Sequence, residues 1–267
     1  MHRRPFVRAT LAALAASALG LFAASTAHAQ NALDEVMSRK QINIAIPTDF
    51  PPYGFVTTDL KPQGLDIDMA HYIAAKLGVK VELIVVTSAN RIPYLQTKKA
   101  DLVISTLGKN AEREKVIDFS AAYSPFFQAV FAAKGVAIKS AADLAGKTVA
   151  VTSGAIEDLE LTKLAPASAD IKRFEDNNAT VSAFVSGQVQ AIATGASVAG
   201  NMMGRNPQLG TEYKFVLKDS PNFIGLNKGE DKLRAKVNEI IAAAKAAGDL
   251  DKMAQKWLGR PAGDLPN

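Results

Sequence analysis

The chain has 267 residues, of which 48% are hydrophobic and 21% charged, with a formal net charge of +5. This balance is typical of a globular protein of one or two domains, and it excludes intrinsic disorder and collagen-like repeats. The sequence contains no cysteine, which excludes disulfides, thiolate zinc sites, iron–sulfur clusters and cysteine nucleophiles.

The first 29 residues have the pattern of a secretory signal peptide. Arg3, Arg4 and Arg8 precede an uncharged apolar run over residues 11–24, and AHA at residues 27–29 resembles a cleavage site. A membrane anchor is the competing interpretation, but the run of about 14 residues is shorter than the roughly 20 that cross a hydrocarbon core. We therefore predict cleavage after residue 29 and export to the periplasm.

Loss of this segment changes the charge and the histidine count. The remaining chain carries 28 basic and 26 acidic residues, a net charge of +2, and it has no block of five like charges. A nucleic-acid partner is therefore not expected. His71 is then the single histidine, so a Ser-His triad or a multi-histidine metal centre is not expected, and we predict neither a metal nor a cofactor.

Short apolar runs alternate with helical patterns along the rest of the chain. Strands are predicted at residues 42–46, 81–86, 101–104, 147–151 and 214–217. One helix is predicted where Met69, Ile73 and Leu77 recur at helical spacing, with Gly78 as its C-terminal stop.

Three further helices are predicted in the second half of the chain. The first contains Val181, Phe184 and Val185, begins near DNN at residues 176–178 and ends near Gly187. The last two carry apolar stripes, which are Leu233, Val237, Ile240, Ile241 and Ala244 in one and Leu250, Met253 and Trp257 in the other. The order of strands and helices predicts α/β layering with mostly parallel sheets.

A series of motifs resembles the extracellular solute-binding proteins for polar amino acids that serve ABC transporters (family 3). They are DFPPYGF (49–55), GLDIDMA (64–70), NRIPYL (90–95), KADLVIST (99–106), ER (112–113), DFS (118–120), LAGKTV (144–149) and KWLG (256–259). Their order and spacing match the family over nearly all of the chain after the leader, and such agreement is far more specific than one motif.

The resemblance implies a two-lobed periplasmic-binding-protein fold of type II, in which two mixed α/β domains are joined by a two-strand hinge and close over a ligand. The implied boundaries are residues 1–29 for the signal peptide, 30–128 plus 223–267 for the first lobe and 129–222 for the second.

Three residues of the first lobe match positions that hold the ligand's carboxylate and amino-acid head in relatives. Arg113 matches the carboxylate-binding arginine, and the planar guanidinium suits this task because it donates two parallel hydrogen bonds. Without the resemblance, AEREK at residues 111–115 would read as a solvated charge run. Thr106 and Gly108 follow a strand at its carboxyl end, where open α/β sheets place ligands, although a turn would also explain them.

Other matches concern the ligand's side chain. Phe50 matches an aromatic ring that lies over the ligand in relatives, although a core aromatic is the commoner role. Arg91 with Ser88 resembles the relatives that bind acidic amino acids. Two interpretations of Arg91 are open, since it could instead pair with a nearby acid and hold a helix start. Relatives with acidic ligands add an arginine where this chain has Pro47.

The second lobe departs from the family pattern at one position. Many relatives have an aspartate there that binds the ligand's ammonium group, and this chain has Gly195. Candidate substitutes are Glu157 and Asp158, which with Ile156 lie in a segment that lines the cleft in relatives. Acids in the first turn of a helix also complement its dipole and need no ligand to explain them. The amides near Gly154 could instead receive a carboxylate.

The resemblance therefore implies a non-enzymatic, monomeric protein that captures a small carboxylate-bearing solute, above all a polar or acidic amino acid, and delivers it to the permease of an ABC transporter. The alternative is an exported cyclohexadienyl or arogenate dehydratase on the same fold. Such chemistry needs a general acid, and Glu157 is the candidate.

Overall fold

The computed structural model describes residues 31–266, and the predicted signal peptide lies outside these residues. The strands are β1 (Gln41–Ile46), β2 (Asp49–Phe50), β3 (Gly54–Val56), β4 (Pro62–Gln63), β5 (Lys80–Val85), β6 (Leu102–Leu107), β7 (Ile117–Ser124), β8 (Phe127–Ala133), β9 (Thr148–Thr152), β10 (Asp170–Phe174), β11 (Ala191–Gly195), β12 (Thr211–Asp219) and β13 (Asn222–Asn227). The helices are α1 (Ala32–Arg39), α2 (Leu65–Leu77), α3 (Arg91–Gln96), α4 (Ala111–Val116), α5 (Ile156–Leu164), α6 (Asn177–Val185), α7 (Ala196–Arg205), α8 (Asp231–Ala246) and α9 (Asp249–Leu258).

The first large sheet has the strand order β5-β1-β6-β13-β7. β1 is parallel to β5 and β6, whereas β13 is antiparallel to both β6 and β7. α2 packs against β1, β5 and β6, while α3 contacts β6 and β13 and α8 contacts β7. β6 is buried along its whole length. This explains why its sequence, LVISTL, does not alternate between apolar and polar residues, since a strand covered on both faces buries every side chain.

The second large sheet has the strand order β10-β9-β11-β8-β12. β9 is parallel to β10 and β11, and β8 is antiparallel to β11 and β12. Its two faces carry separate cores because neighbouring residues of a strand point to opposite sides. Val130 of β8 packs in one core with Leu161 of α5, and Phe131 packs in the other with Phe184 of α6.

Two connections join the sheets. The chain leaves β7 at Ser124 and enters β8 at Phe127, and it returns from Asp219 of β12 to Asn222 of β13. Each sheet with its helices forms one lobe, so the predicted two-lobed α/β fold is confirmed. The prediction of mostly parallel sheets is wrong, because each large sheet has two parallel and two antiparallel strand pairs. The exact lobe boundaries stay a prediction.

The sequence explains how the helices end. Gly78 has a left-handed φ of 69°, and its amide donates to the carbonyls of Ala74 and Ala75, as is common at helix C-termini. The Asp176 side chain accepts a hydrogen bond from the Ala179 amide and so caps α6.

The predicted strands correspond to β1, β5, β6, β9 and β12, and the predicted helices to α2, α6, α8 and α9. The sequence analysis did not predict α1, α3, α4 or α7, the strands β7, β8, β10 and β13, or the small sheet of β2, β3 and β4. Between residues 31 and 266, no helix has both the length and the apolar character that crossing a membrane requires.

Candidate functional site

A narrow cavity of about 10 Å³, enough space for about one water molecule, lies between the lobes. It is lined by Pro47, Asp49, Phe50, Val86, Ser88, Arg91, Ser105, Thr106, Phe126, Ala155, Ile156, Glu157 and Asn177. Most of these residues lie at or just beyond the carboxyl ends of β1, β5, β6, β9 and β10. This is the edge at which parallel α/β sheets bind ligands.

Thr106 is held in an unusual backbone conformation by a buried acid. Its φ is 45°, in the left-handed region that residues with a Cβ rarely adopt. The carboxylate of Asp66, which has no exposed surface, accepts hydrogen bonds from the Thr106 amide at 2.7 Å and from the Tyr123 hydroxyl at 2.6 Å. Burial raises the pKa of Asp66 to about 7. Asp66 therefore positions the end of β6.

The sequence analysis assigned no role to Asp66, although Asp66 lies in one of the quoted motifs. The available signal in the sequence is that Asp66 stands between two apolar residues, Leu65 and Ile67, at the start of α2. In the structure all three residues are buried. An acid among buried apolar neighbours needs hydrogen-bond partners, and this points to a structural or functional role.

Arg113 is 5% exposed, and its guanidinium points into the gap between the lobes. The local chain places it, since the Asn110 side chain caps α4 by accepting from the Arg113 amide at 2.9 Å. Nη1 donates to the Gly108 carbonyl at 2.6 Å, and Nη2 donates across the gap to the Gly154 carbonyl at 2.9 Å. Burial and the nearby charge of Arg91 lower the pKa of Arg113 to about 9.

Arg91 begins α3 and is 4% exposed. Its Nε donates to the Ser88 carbonyl at 3.1 Å, and Nη1 donates to the Ser105 carbonyl at 2.6 Å. A longer contact of 3.5 Å joins Nη2 to the Gly154 carbonyl. Burial lowers the pKa of Arg91 as well. The side chain thus ties the α3 start to β6.

Neither cleft arginine is paired with an acid. Within residues 31–266, the arginine ion pairs involve Arg39, Arg173 and Arg234. Arg91 and Arg113 therefore have no described carboxylate oxygen within the 4.0 Å that defines a salt bridge. The interpretation in which a nearby acid pairs with Arg91 does not describe this structure. Two buried positive charges are satisfied by carbonyl groups alone.

The two acids at the start of α5 have different surroundings. Asp158 accepts from the Gly154 amide at 3.1 Å and forms an ion pair with Arg173 at 2.8 Å, so its role at the helix start is structural. Glu157 is 3% exposed, and its Oε1 atom is buried without a hydrogen-bond partner. Burial raises the pKa of Glu157 to about 7, and the charges of Arg91 and Arg113 partly oppose this rise.

At two positions, glycine leaves room for a side chain from another part of the chain. A Cβ on Gly108 would lie 3.2 Å from Cγ1 of Ile156, so Gly108 lets the start of α5 approach the first lobe. A Cβ on Gly195 would overlap the ring of Phe126. The space that a side chain at residue 195 would need is therefore occupied by an aromatic ring.

Two aromatic rings, those of Phe50 and Phe126, line one side of the cleft, and the buried ring of Tyr53 packs against them. The centroids of Phe50 and Phe126 are 6.0 Å apart, and those of Tyr53 and Phe126 are 5.3 Å apart with perpendicular planes. Such edge-to-face packing is favourable. The sequence analysis expected a ring from Phe50 but assigned no role to Phe126, which lies in the connection between β7 and β8.

Contacts across the gap hold the lobes together. The Oδ2 atom of Asp49 accepts from the amide of Asn177 at 2.7 Å and from its Nδ2 at 3.1 Å. These bonds, together with the bond from Arg113 to the Gly154 carbonyl, close the cleft. Asp176 provides the cap of α6, and Asn177 lines the cavity.

The structure therefore brings all nine predicted site residues to one place. Those that line the cavity are Phe50, Ser88, Arg91, Thr106, Ile156 and Glu157. The other three, Gly108, Arg113 and Gly195, contact these residues or their immediate neighbours. Their roles in binding stay a prediction. In the described part of the chain, no three His, Asp or Glu side chains cluster as a metal site requires, and His71 lies exposed on α2.

Comparisons with known proteins agree with this architecture. The model of the bacterial extracellular solute-binding proteins, family 3, matches residues 42–260. The ABC transporter glutamine-binding protein GlnH of Bacillus subtilis is 28% identical over 243 residues, which cover 88% of this chain and 87% of that protein.

Two solved structures extend the comparison. An ancestral arginine-binding protein bound to arginine is 36% identical with a TM-score of 0.78, covering 83% of this chain and 99% of that one. The ancestral amino acid-binding protein AncCDT-1, described as a precursor of cyclohexadienyl dehydratase, is 32% identical with a TM-score of 0.76 and coverage of 85% and 99%.

Proposed function

Because the chain belongs to the bacterial extracellular solute-binding proteins of family 3, we propose that it captures a small carboxylate-bearing solute between its lobes. The solute class is a polar or acidic amino acid, and the protein delivers it as a monomer to the permease of an ABC transporter. The first 29 residues direct export to the periplasm in this proposal.

The observation that carries the proposal is the pair of buried arginines without a described carboxylate partner. A buried charge that lacks a counter-ion costs several kcal/mol. A ligand carboxylate supplies that counter-ion, and the guanidinium fork binds both of its oxygens. The binding energy is thus directed at an anionic group of the ligand.

Each lining residue has a role in this proposal. Arg113 exchanges its bond to the Gly154 carbonyl for the ligand carboxylate, and the backbone of Thr106 and Gly108 orders the head group. Phe50 covers the ligand side chain. Arg91, beside Ser88, faces a polar or acidic end of that side chain.

Glu157 and Ile156 come from the second lobe, which closes over the ligand. The two connections at residues 125–126 and 220–221 act as the hinge, close to the implied lobe boundaries at residues 128 and 223. Ligand contacts to both lobes favour the closed state, since a ligand shifts a conformational equilibrium by its difference in affinity for the two states.

A thermal-shift screen tests the proposal with the twenty amino acids, polyamines and small dicarboxylates. A ligand at about 100 times its Kd stabilises the folded protein by about 2.7 kcal/mol. Arg113→Ala should abolish this stabilisation, whereas Arg234→Ala, which removes a partly exposed guanidinium from a surface ion pair, should retain it. A full shift in Arg113→Ala would remove Arg113 from the site and refute the proposal.

A second candidate function rests on Glu157. A carboxyl group with a pKa of about 7 is half protonated near neutral pH, so a general acid lies buried in the cavity. The likeness to AncCDT-1 favours the same alternative, a dehydratase acting on cyclic amino-acid precursors. Incubation with prephenate or arogenate tests it, and product that Glu157→Gln does not form would support catalysis. Absence of product from the wild type would dispose of this alternative.

A further inference from the structure

The cavity wall at the end of β11 has no space for a side chain. A Cβ on Gly195 would come within 3.0 Å of two ring carbons of Phe126 and within 3.4 Å of the ring of Phe50. The φ of Gly195 is −64°, which any residue adopts. Glycine is therefore required here for space and not for backbone conformation.

The Phe126 ring is held in place from several sides. It is 4% exposed and packs edge-on against Phe50 and Tyr53. Its own carbonyl accepts a hydrogen bond from the Ser220 amide at 3.3 Å, which joins the two connections between the lobes. Displacing the ring would break this edge-to-face packing.

The blocked wall limits where the site can bind a cationic group. Two acidic side chains line the cavity among the described residues, Asp49 and Glu157. The Oδ2 atom of Asp49 is engaged by the amide and side chain of Asn177. Glu157 has a buried Oε1 atom without a partner. Of these two acids, Glu157 is the one with a fully buried oxygen that no described group satisfies, so a hydrogen bond from a ligand there removes an existing energetic cost.

We propose that Phe126 is a specificity-determining residue. Its ring fills the space beside Gly195, so that no charged group can lie there, and the ligand's ammonium group is received by Glu157. This inference rests on the proposed function, because it places the ammonium group of an amino acid held by Arg113. The ammonium group is then bound at the first turn of α5 and not at the end of β11.

The test measures how strongly the protein prefers an amino acid over its deaminated analogue, by calorimetry. Three pairs are used: L-glutamate with glutarate, L-glutamine with 4-carbamoylbutanoate and L-arginine with 5-guanidinopentanoate. In the pair that the wild type binds most tightly, its affinity for the amino acid should exceed its affinity for the deaminated analogue at least tenfold. Glu157→Gln should reduce this ratio of affinities at least tenfold. Asp158→Asn is the matched control, and it should keep the preference because Asp158 is bound to Arg173.

Relocating the acid then tests Phe126 directly. Adding Gly195→Asp to Glu157→Gln should not restore the preference, because the ring blocks the new side chain. Adding Phe126→Ala as well should restore it at least tenfold. If the triple variant does not fold, Gly195→Ala should weaken amino-acid binding at least tenfold and Phe126→Leu should recover it.

The outcomes separate the two proposals. Restoration by Gly195→Asp with Phe126 in place would overturn the inference, and so would an unchanged preference in Glu157→Gln. The fallback test compares Gly195→Ala alone with Gly195→Ala combined with Phe126→Leu. Equal ligand affinities of these two variants would also overturn the inference. If the thermal-shift screen finds a ligand outside these pairs, that ligand and its deaminated analogue replace them. Failure of the wild type to bind any compound of the screen would overturn the proposed function, and the inference with it.

Discussion

Glu157 makes the stability of the ligand-free protein depend on pH, and one substitution isolates its contribution. Burial raises the pKa of Glu157 from 4.5 to about 7 in the folded protein, whereas the unfolded chain restores the ordinary value. Between these two values the folded state binds more protons than the unfolded state, so stability falls as pH rises. The stabilising contribution of Glu157 is complete below about pH 4.5 and lost above about pH 7.

The expected magnitude follows from the two pKa values. A difference from 4.5 to about 7 corresponds to about 3 kcal/mol. Glutamine resembles the protonated carboxyl group in size and charge. Glu157→Gln should therefore match the wild type at acidic pH and exceed it by about 3 kcal/mol at alkaline pH. Asp66 titrates over a similar range in both proteins, so its effect cancels in the difference.

Urea unfolding without ligand measures this difference between about pH 4.5 and about pH 8. Glu239→Gln is the control, because Glu239 lies in an exposed pair with Lys236 and should contribute less than about 1 kcal/mol at any pH. A Glu157→Gln variant with the same stability difference at every pH would refute the reasoning, as would one less stable than the wild type at alkaline pH.

Three further substitutions test other parts of the site. Arg113→Lys keeps the charge but loses the two-pronged hydrogen bond, so calorimetry should find a ligand affinity roughly 10- to 100-fold lower; an unchanged affinity would contradict carboxylate binding there. Asp66→Ala leaves the buried Thr106 amide and Tyr123 hydroxyl without partners, which should lower the free energy of unfolding by about 2–5 kcal/mol in urea. Gly195→Ala overpacks the neighbouring ring and should cost about 1–3 kcal/mol in the same assay, whereas a neutral effect would show that the ring yields.

Most of the fold could be predicted because each signal is local. Apolar runs predicted β1 and β6, and the spacing from Met69 to Gly78 predicted α2 together with its end. Such patterns report which face of an element is buried, and the chain keeps that information wherever the element packs. The short α4 offered too few turns for periodicity to be seen, although motif spacing still indicated Arg113.

The candidate site could be predicted only in part. Motif positions identified Arg113, Thr106 and Glu157, and the structure brings them together at the cleft. Their electrostatic state was not predictable, because it depends on burial and on partners from distant parts of the chain. The pairing of Asp66 with Thr106, 40 residues away in sequence, is one such case.

Local patterns in the sequence determined the α/β class, and its motifs indicated the two-lobed fold and the positions that carry arginine, threonine and glutamate. Only the tertiary structure decided that both cleft arginines lack a described carboxylate partner, that Glu157 is buried with a free oxygen, and that Phe126 fills the space beside Gly195. The physical reason is that desolvation, charge pairing and steric exclusion arise between groups far apart in the chain, whereas periodicity and capping act within one element.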